Sequence, residues 1–286
     1  MSVYNRQYRL FKGPFTPILS RFLIIPRFAF KRVFKSKLFT SFFVLCFLPL
    51  LISGAMIYIY NNAAIIDMLG IKISDMLTID TTFFSSLLNI QMGMCFLLTL
   101  FLGPPLISPD LANNALPLYL SRPFDKRNYI AGKFSVIYIL NSCVSWIPAS
   151  LLFLLQAYLH NGPWLFDHLH IAMGLILGSN LFIITMTLFA LAISAWLKWR
   201  SIAGFAFIAL PFITMATGDV INTTLHVKWG RYLDINKVMD TIYNSLFHIQ
   251  TGDSLSVSGC YLILLMAWSL SLLILQMRIK AYEVIR

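Results

Sequence analysis

The sequence predicts an all-α integral membrane bundle of six transmembrane helices, with an N-terminal amphipathic interfacial helix and a short outer-face helix. Three observations lead there. Of the 286 residues, 58% are hydrophobic, and the mean hydropathy of +0.77 exceeds what a water-soluble core needs. Apolar stretches long enough to cross ~30 Å of hydrocarbon recur six times. Lys and Arg fall on one side of that alternation, 18 against 4, so their excess marks the cytoplasmic face and puts both termini there.

Residues 1–37 form a basic leader carrying nine of those cations. Within it, 17–37 mixes Phe, Leu and Ile with Arg21, Arg27, Lys31, Arg32, Lys35 and Lys37, the make-up of a helix lying among lipid headgroups and bent at Pro26. A flexible leader obeying the charge rule is the alternative. No small-residue cleavage site follows the first apolar run, so that run is expected to stay as a span. The six-span domain, 38–286, has its spans at about 38–60, 83–107, 134–159, 171–197, 201–217 and 259–277. The fifth is the shortest, and Pro211 makes it the candidate for a broken or re-entrant helix.

Pro49 and Pro148 interrupt the first and third spans, and Gly174 and Gly178 place a G-x-x-x-G pair in the fourth, for packing within the chain or between copies. The external segment 218–258 contains Ile235, Val238, Met239, Ile242 and Leu246 at helical spacing, with Asp234 as N-cap. That helix either packs over the bundle or serves as a lid or re-entrant piece. Cys46, Cys95, Cys143 and Cys260 show no pairing or metal-ligand spacing and read as packing residues.

None of the six windows contains Asp, Glu, Lys or Arg, which removes the midplane ionisable groups that ion-coupled transporters commonly use. Asn89, Gln91, Asn141, Asn180 and Thr185 are candidates to line a pathway, though hydrogen bonds between helices come ahead of substrate contact as their role. His168 and His170, in "DHLH", match no closed ligand set, and no metal is expected. Phosphate-binding, nucleophile-elbow and zinc-hydrolase motifs are absent, so catalysis and cofactors are not expected in this chain. Its positive charge fits membrane lipids as a partner and no nucleic acid.

The densest internal charge cluster lies in the cytoplasmic loop 108–133. Pro104-Pro105 are placed to end the second span, Asp110 and Asn113 to start a short helix, and Arg122, Pro123, Asp125, Lys126 and Arg127 to form a charged turn after an apolar patch around Leu116 and Leu120. Asp110, Leu116, Leu120, Ser121, Pro123, Arg127, Gly132 and Lys133 resemble the second-loop motif in permease subunits of exporter-type (type V) ABC transporters. Asn114-Ala115 stands where that family has Gly-Thr, and Phe124 where it has Ile.

The resemblance implies six spans, ATP-driven export from the cytoplasmic membrane, and a separate ABC-type ATPase subunit that binds ATP and Mg. It also implies a second permease copy, identical or related. The loop would then be a coupling helix, with Asp110, Leu116, Leu120, Arg122, Pro123, Lys126 and Arg127 meeting the ATPase. Two rivals are a secondary transporter or channel, and a membrane scaffold for assembly of an extracytoplasmic metalloenzyme.

Overall fold

A computed structural model describes residues 22–62, 78–116, 125–160, 163–227, 229–249 and 255–279. The regular elements among them are helical. They are α1 (Ile24–Val33), α2 (Lys37–Leu45), α3 (Leu48–Tyr60), α4 (Thr81–Leu102), α5 (Pro104–Ala112) and α6 (Lys126–Val144), then α7 (Trp146–Leu159), α8 (Trp164–Asp167), α9 (Leu169–Trp196), α10 (Arg200–Leu225), α11 (Ile235–Leu246) and α12 (Val257–Arg278). Six helical stretches are long and apolar enough to cross a membrane: Lys37–Tyr60, Thr81–Ala112, Lys126–Leu159, Leu169–Trp196, Arg200–Leu225 and Val257–Arg278. The chain is a multi-pass membrane protein.

Local sequence sets several helix starts. Ser36 accepts from the Phe39 N–H, Asp80 from the Thr82 and Phe83 N–H groups, and Asp234 from the Asn236 N–H, each satisfying donors that a helix leaves open at its N-terminus. Pro26 sits in the first turn of α1, where its missing N–H removes no intrahelical bond, so it opens the described helix instead of bending it.

Three spans are interrupted, and a proline opens the helix that follows each interruption. Pro49 and Pro148 lie in the first turns of α3 and α7, immediately after interruptions at Cys46–Phe47 and Ser145. The third interruption, at Gly103, corrects an expectation: Pro104-Pro105 do not end the second span but start α5, which carries it on to Ala112. Asp110 is therefore in the last turn of α5, and Asn113 is its C-cap rather than a helix start. The Ile107 and Ser108 N–H groups, at the buried start of α5, both donate to Ser194 Oγ, which itself donates to the Pro104 carbonyl at 2.9 Å. Gly103 lets α5 approach α9 so closely, since a Cβ there would stand 2.6 Å from that of Ala190.

Pro211 produces no comparable interruption. Arg200–Leu225 is one helix through it, so the fifth span is unbroken and runs eight residues past 217. Its exposed Phe205, Phe212 and Ile213 face away from the bundle.

α9 is the hub, touching α4, α5, α6, α7, α10, α11 and α12. Gly174 and Gly178 serve contacts within the chain: the Phe247 ring packs over the first, and Tyr243 with Leu88 over the second. α11 accordingly buries Ile235, Val238, Met239, Ile242 and Tyr243 against the bundle. The spans formed by α2–α3, α10 and α12 bury little of their apolar surface within the chain, as helices facing hydrocarbon or another membrane helix do.

Candidate functional site

The ends of several spans meet around one charge pair. Lys133, in the second turn of α6, places Nζ 2.7 Å from Asp110 Oδ2 at the end of α5. The Tyr129 hydroxyl, one helical turn before Lys133, donates to the same Asp110 oxygen at 2.7 Å, and Lys133 also donates to the Leu106 carbonyl at 2.6 Å. The side chains of Lys133 and Asp110 are only 9% and 18% exposed, and Tyr129 is fully buried. Three contacts close round the two charges, the condition under which buried ions are retained.

This pair revises the picture of charge-free spans. The apolar windows contain no charge, but the helices continue past them: Thr81–Ala112 includes Asp110, and Lys126–Leu159 includes Lys126, Arg127 and Lys133. The loop 108–133 is helical at both ends, and its ion pair holds those ends together. Leu116 is buried in the same apolar cluster as Ile107 and Tyr129. Lys126 and Arg127 are exposed at the start of α6. Leu120, Arg122 and Pro123 lie outside the described residues.

α1 crosses this end of the bundle against α6. Gly132 permits the crossing, because a Cβ there would meet the Phe22 carbonyl oxygen at 2.9 Å and the Ile25 side chain at 2.8 Å. Between α1 and the ends of α4, α5, α6 and α10 lies a cavity of about 500 Å³. Phe28 and Phe101 contribute apolar wall, and Arg32, Asp110, Lys133 and Arg200 contribute charge. Nearby, the Arg278 guanidinium stacks 4.3 Å over the Trp196 ring and ties the last turns of α9 and α12.

The candidate pathway residues are distributed differently. Gln91 is buried, and its amide donates to the Cys46 carbonyl at 3.1 Å and the Val144 carbonyl at 2.8 Å. Val144 is the residue whose carbonyl Pro148 cannot serve, so one side chain of α4 satisfies backbone at the breaks of two other spans. Asn141 donates to Thr99 Oγ1, Tyr138 donates to Asn180 Oδ1, and the Trp268 indole donates to Thr185 Oγ1. Four of the five thus make helix-to-helix hydrogen bonds, while Asn89 is exposed.

His168 and His170 belong to a stack of rings. Trp164 and His168 lie 4.4 Å apart, His168 and His170 6.1 Å, and His170 and His248 5.1 Å with planes 5° from parallel. His168 Nδ1 is within 2.9 Å of the Trp164 carbonyl oxygen, and His170 Nε2 within 3.3 Å of Thr81 Oγ1. Among the described residues, no three His, Cys, Asp or Glu side chains are gathered as a ligand set. Sequence reasoning did not join His248 to these rings; a left-handed turn at φ 55° brings it in from after α11. It also missed the Asp110–Lys133 pair, whose only sequence signal is one cation and one anion just outside two adjacent apolar runs.

Fold and site together define a multi-pass helical membrane protein with a charge-locked junction at one end. No protein-family model matches the chain, and no curated protein matches it at a significant level.

Proposed function

We propose that this chain is the permease subunit of an exporter-type ABC transporter. A second permease copy and a separate ATPase would complete it, with ATP and Mg held by the ATPase. The observation that carries the reading is the junction at Asp110 and Lys133, the two ends of the motif-bearing segment. A 2.7 Å ion pair joins Asp110, in the last turn of α5, to Lys133, in the second turn of α6. A segment so anchored passes a push to both spans at once. Exposed Lys126 and Arg127 supply cations for acidic groups on a partner, and Arg122 adds a third from the sequence.

In this reading the basic end faces the cytoplasm with both termini, α1 lies in the headgroup layer, and α11 belongs to the opposite side of the cytoplasmic membrane. Lys198, Arg200 and Arg278, at the ends of α9, α10 and α12, add to the charge at that end.

Purification of the tagged full chain from its native membrane in mild detergent, with identification of co-purifying chains and an ATP hydrolysis assay, tests the proposal. A stoichiometric ATPase is expected, and Arg122→Glu with Arg127→Glu should release it while the permease stays folded. An intact, monodisperse permease without ATPase would sink the reading and favour a secondary transporter or scaffold.

A further inference from the structure

The cavity beneath α1 has one wall of side chains suited to hydrocarbon and another suited to an anion. Phe28 is 67% exposed and Leu38 64%, and Phe101 also stands open to the surroundings, although all three line the cavity. Beside them are Arg32, Lys133 and Arg200, against a single lining carboxylate, Asp110, which Lys133 already neutralises. Two positive charges therefore face the space without a described carboxylate paired to either. Both belong to membrane-boundary positions: Arg32 lies one turn before the first span, and Arg200 opens the fifth. A soluble protein would cover such a surface, whereas a bilayer supplies an amphiphile of matching chemistry.

We infer that this cavity holds one anionic phospholipid, its phosphodiester between Arg32 and Arg200 and the upper part of its acyl chains along Phe28, Leu38 and Phe101. Charge complementarity selects an anionic headgroup. The volume of about 500 Å³ falls within the range that takes a headgroup and the adjoining chain carbons. A bound lipid also fastens α1, which otherwise meets the bundle mainly along α6, to the start of α10. The inference needs only the membrane-spanning fold and stands apart from the transporter reading.

Native mass spectrometry of the detergent-purified full chain, titrated with phosphatidylglycerol or phosphatidylcholine of the same chain length, tests it. The wild type should retain one phosphatidylglycerol in preference to phosphatidylcholine. Each arginine near the surface strengthens the attraction about fivefold, so Arg32→Gln/Arg200→Gln should weaken the first phosphatidylglycerol about 30-fold. Arg32→Lys/Arg200→Lys should keep most of the binding. Lys35→Gln/Lys37→Gln, which removes two neighbouring cations outside the cavity, should leave the first site intact. Glycerophosphate without chains should not displace the lipid. Equal retention of both lipids overturns the inference, as do an unaffected Arg32→Gln/Arg200→Gln variant, an equal loss in the Lys35/Lys37 control, and displacement by glycerophosphate.

Discussion

Replacing Lys133 with Met keeps the apolar stem of the side chain and removes the ammonium, leaving Asp110 with Tyr129 as its remaining partner at that carboxylate oxygen. At 2.7 Å and an effective dielectric of about 20, the attraction between the two charges is roughly 6 kcal/mol before hydration is counted. Hydration of the separated ions offsets part of it, and breaking a buried pair typically costs about 3 kcal/mol, because one ion remains uncompensated. Lys133→Met should therefore destabilise the full chain by about 3 kcal/mol in reversible unfolding in mixed micelles. Asp110→Asn should cost a similar amount. The double variant should cost far less than the sum, with a coupling energy of about 2 kcal/mol or more, because no charge is left without its partner. A loss below about 1 kcal/mol for Lys133→Met, or additive single effects, would show that the pair does not lock the ends of α5 and α6.

Gln91→Leu removes both donors to the Cys46 and Val144 carbonyls and should cost about 2 kcal/mol. Hydrogen exchange should accelerate in the turns that follow those carbonyls. Gly103→Ala forces a Cβ to within 2.6 Å of Ala190 and should cost roughly 1–3 kcal/mol, recovered by adding Ala190→Gly. Burial pulls the Asp80 carboxyl up, but hydrogen bonds from Thr82, Phe83 and Thr78 outweigh it and hold the group below its ordinary value. Its folded value being the lower one, its contribution is present above the unfolded value and fades as pH falls through the folded one. Asp80→Asn should accordingly flatten the acid limb of a stability profile recorded between about pH 6 and pH 3.

Apolar run length was enough to count the spans, because crossing a bilayer demands about 20 apolar residues whatever their neighbours are. The Asp234 cap and the helix after it were also legible, since cap and periodicity are local. Span ends were not. A window of apolar residues stops at the first charge, whereas a helix stops where its backbone hydrogen bonds do, so Asp110 and Lys133 looked like loop residues although they close the ends of spans. The prolines show the same limit. Pro104, Pro148 and Pro211 look alike in sequence, and what distinguishes the first two is tertiary: Ser194 and Gln91 stand ready to satisfy the interrupted backbone. A polar residue inside an apolar run does not reveal its own burial, since Asn89 is exposed while Gln91 and Asn141 are buried, and whether the buried ones faced a substrate or one another depended on partners far away in the chain.

Those partners bear on where a transport pathway can run. Gln91, Asn141, Asn180 and Thr185 stitch α4, α6 and α9 to their neighbours, and Ser194 fixes α5 to α9. Opening a passage between these helices would break several buried hydrogen bonds at about 1–3 kcal/mol for each polar group left unpaired. The helices around them are held differently. α10 and α12 present mostly apolar outward faces, with α12 tied to α9 on its inner side by the Trp268–Thr185 hydrogen bond and the Arg278–Trp196 stack, so a neighbouring membrane helix can replace lipid on the outer faces at little cost. Under the proposed function, a passage formed between two permease copies requires none of the interior stitching to open, whereas one through the centre of a single chain does. Under the same proposal, the Asp110–Lys133 pair makes the ends of α5 and α6 respond together when the loop is pushed.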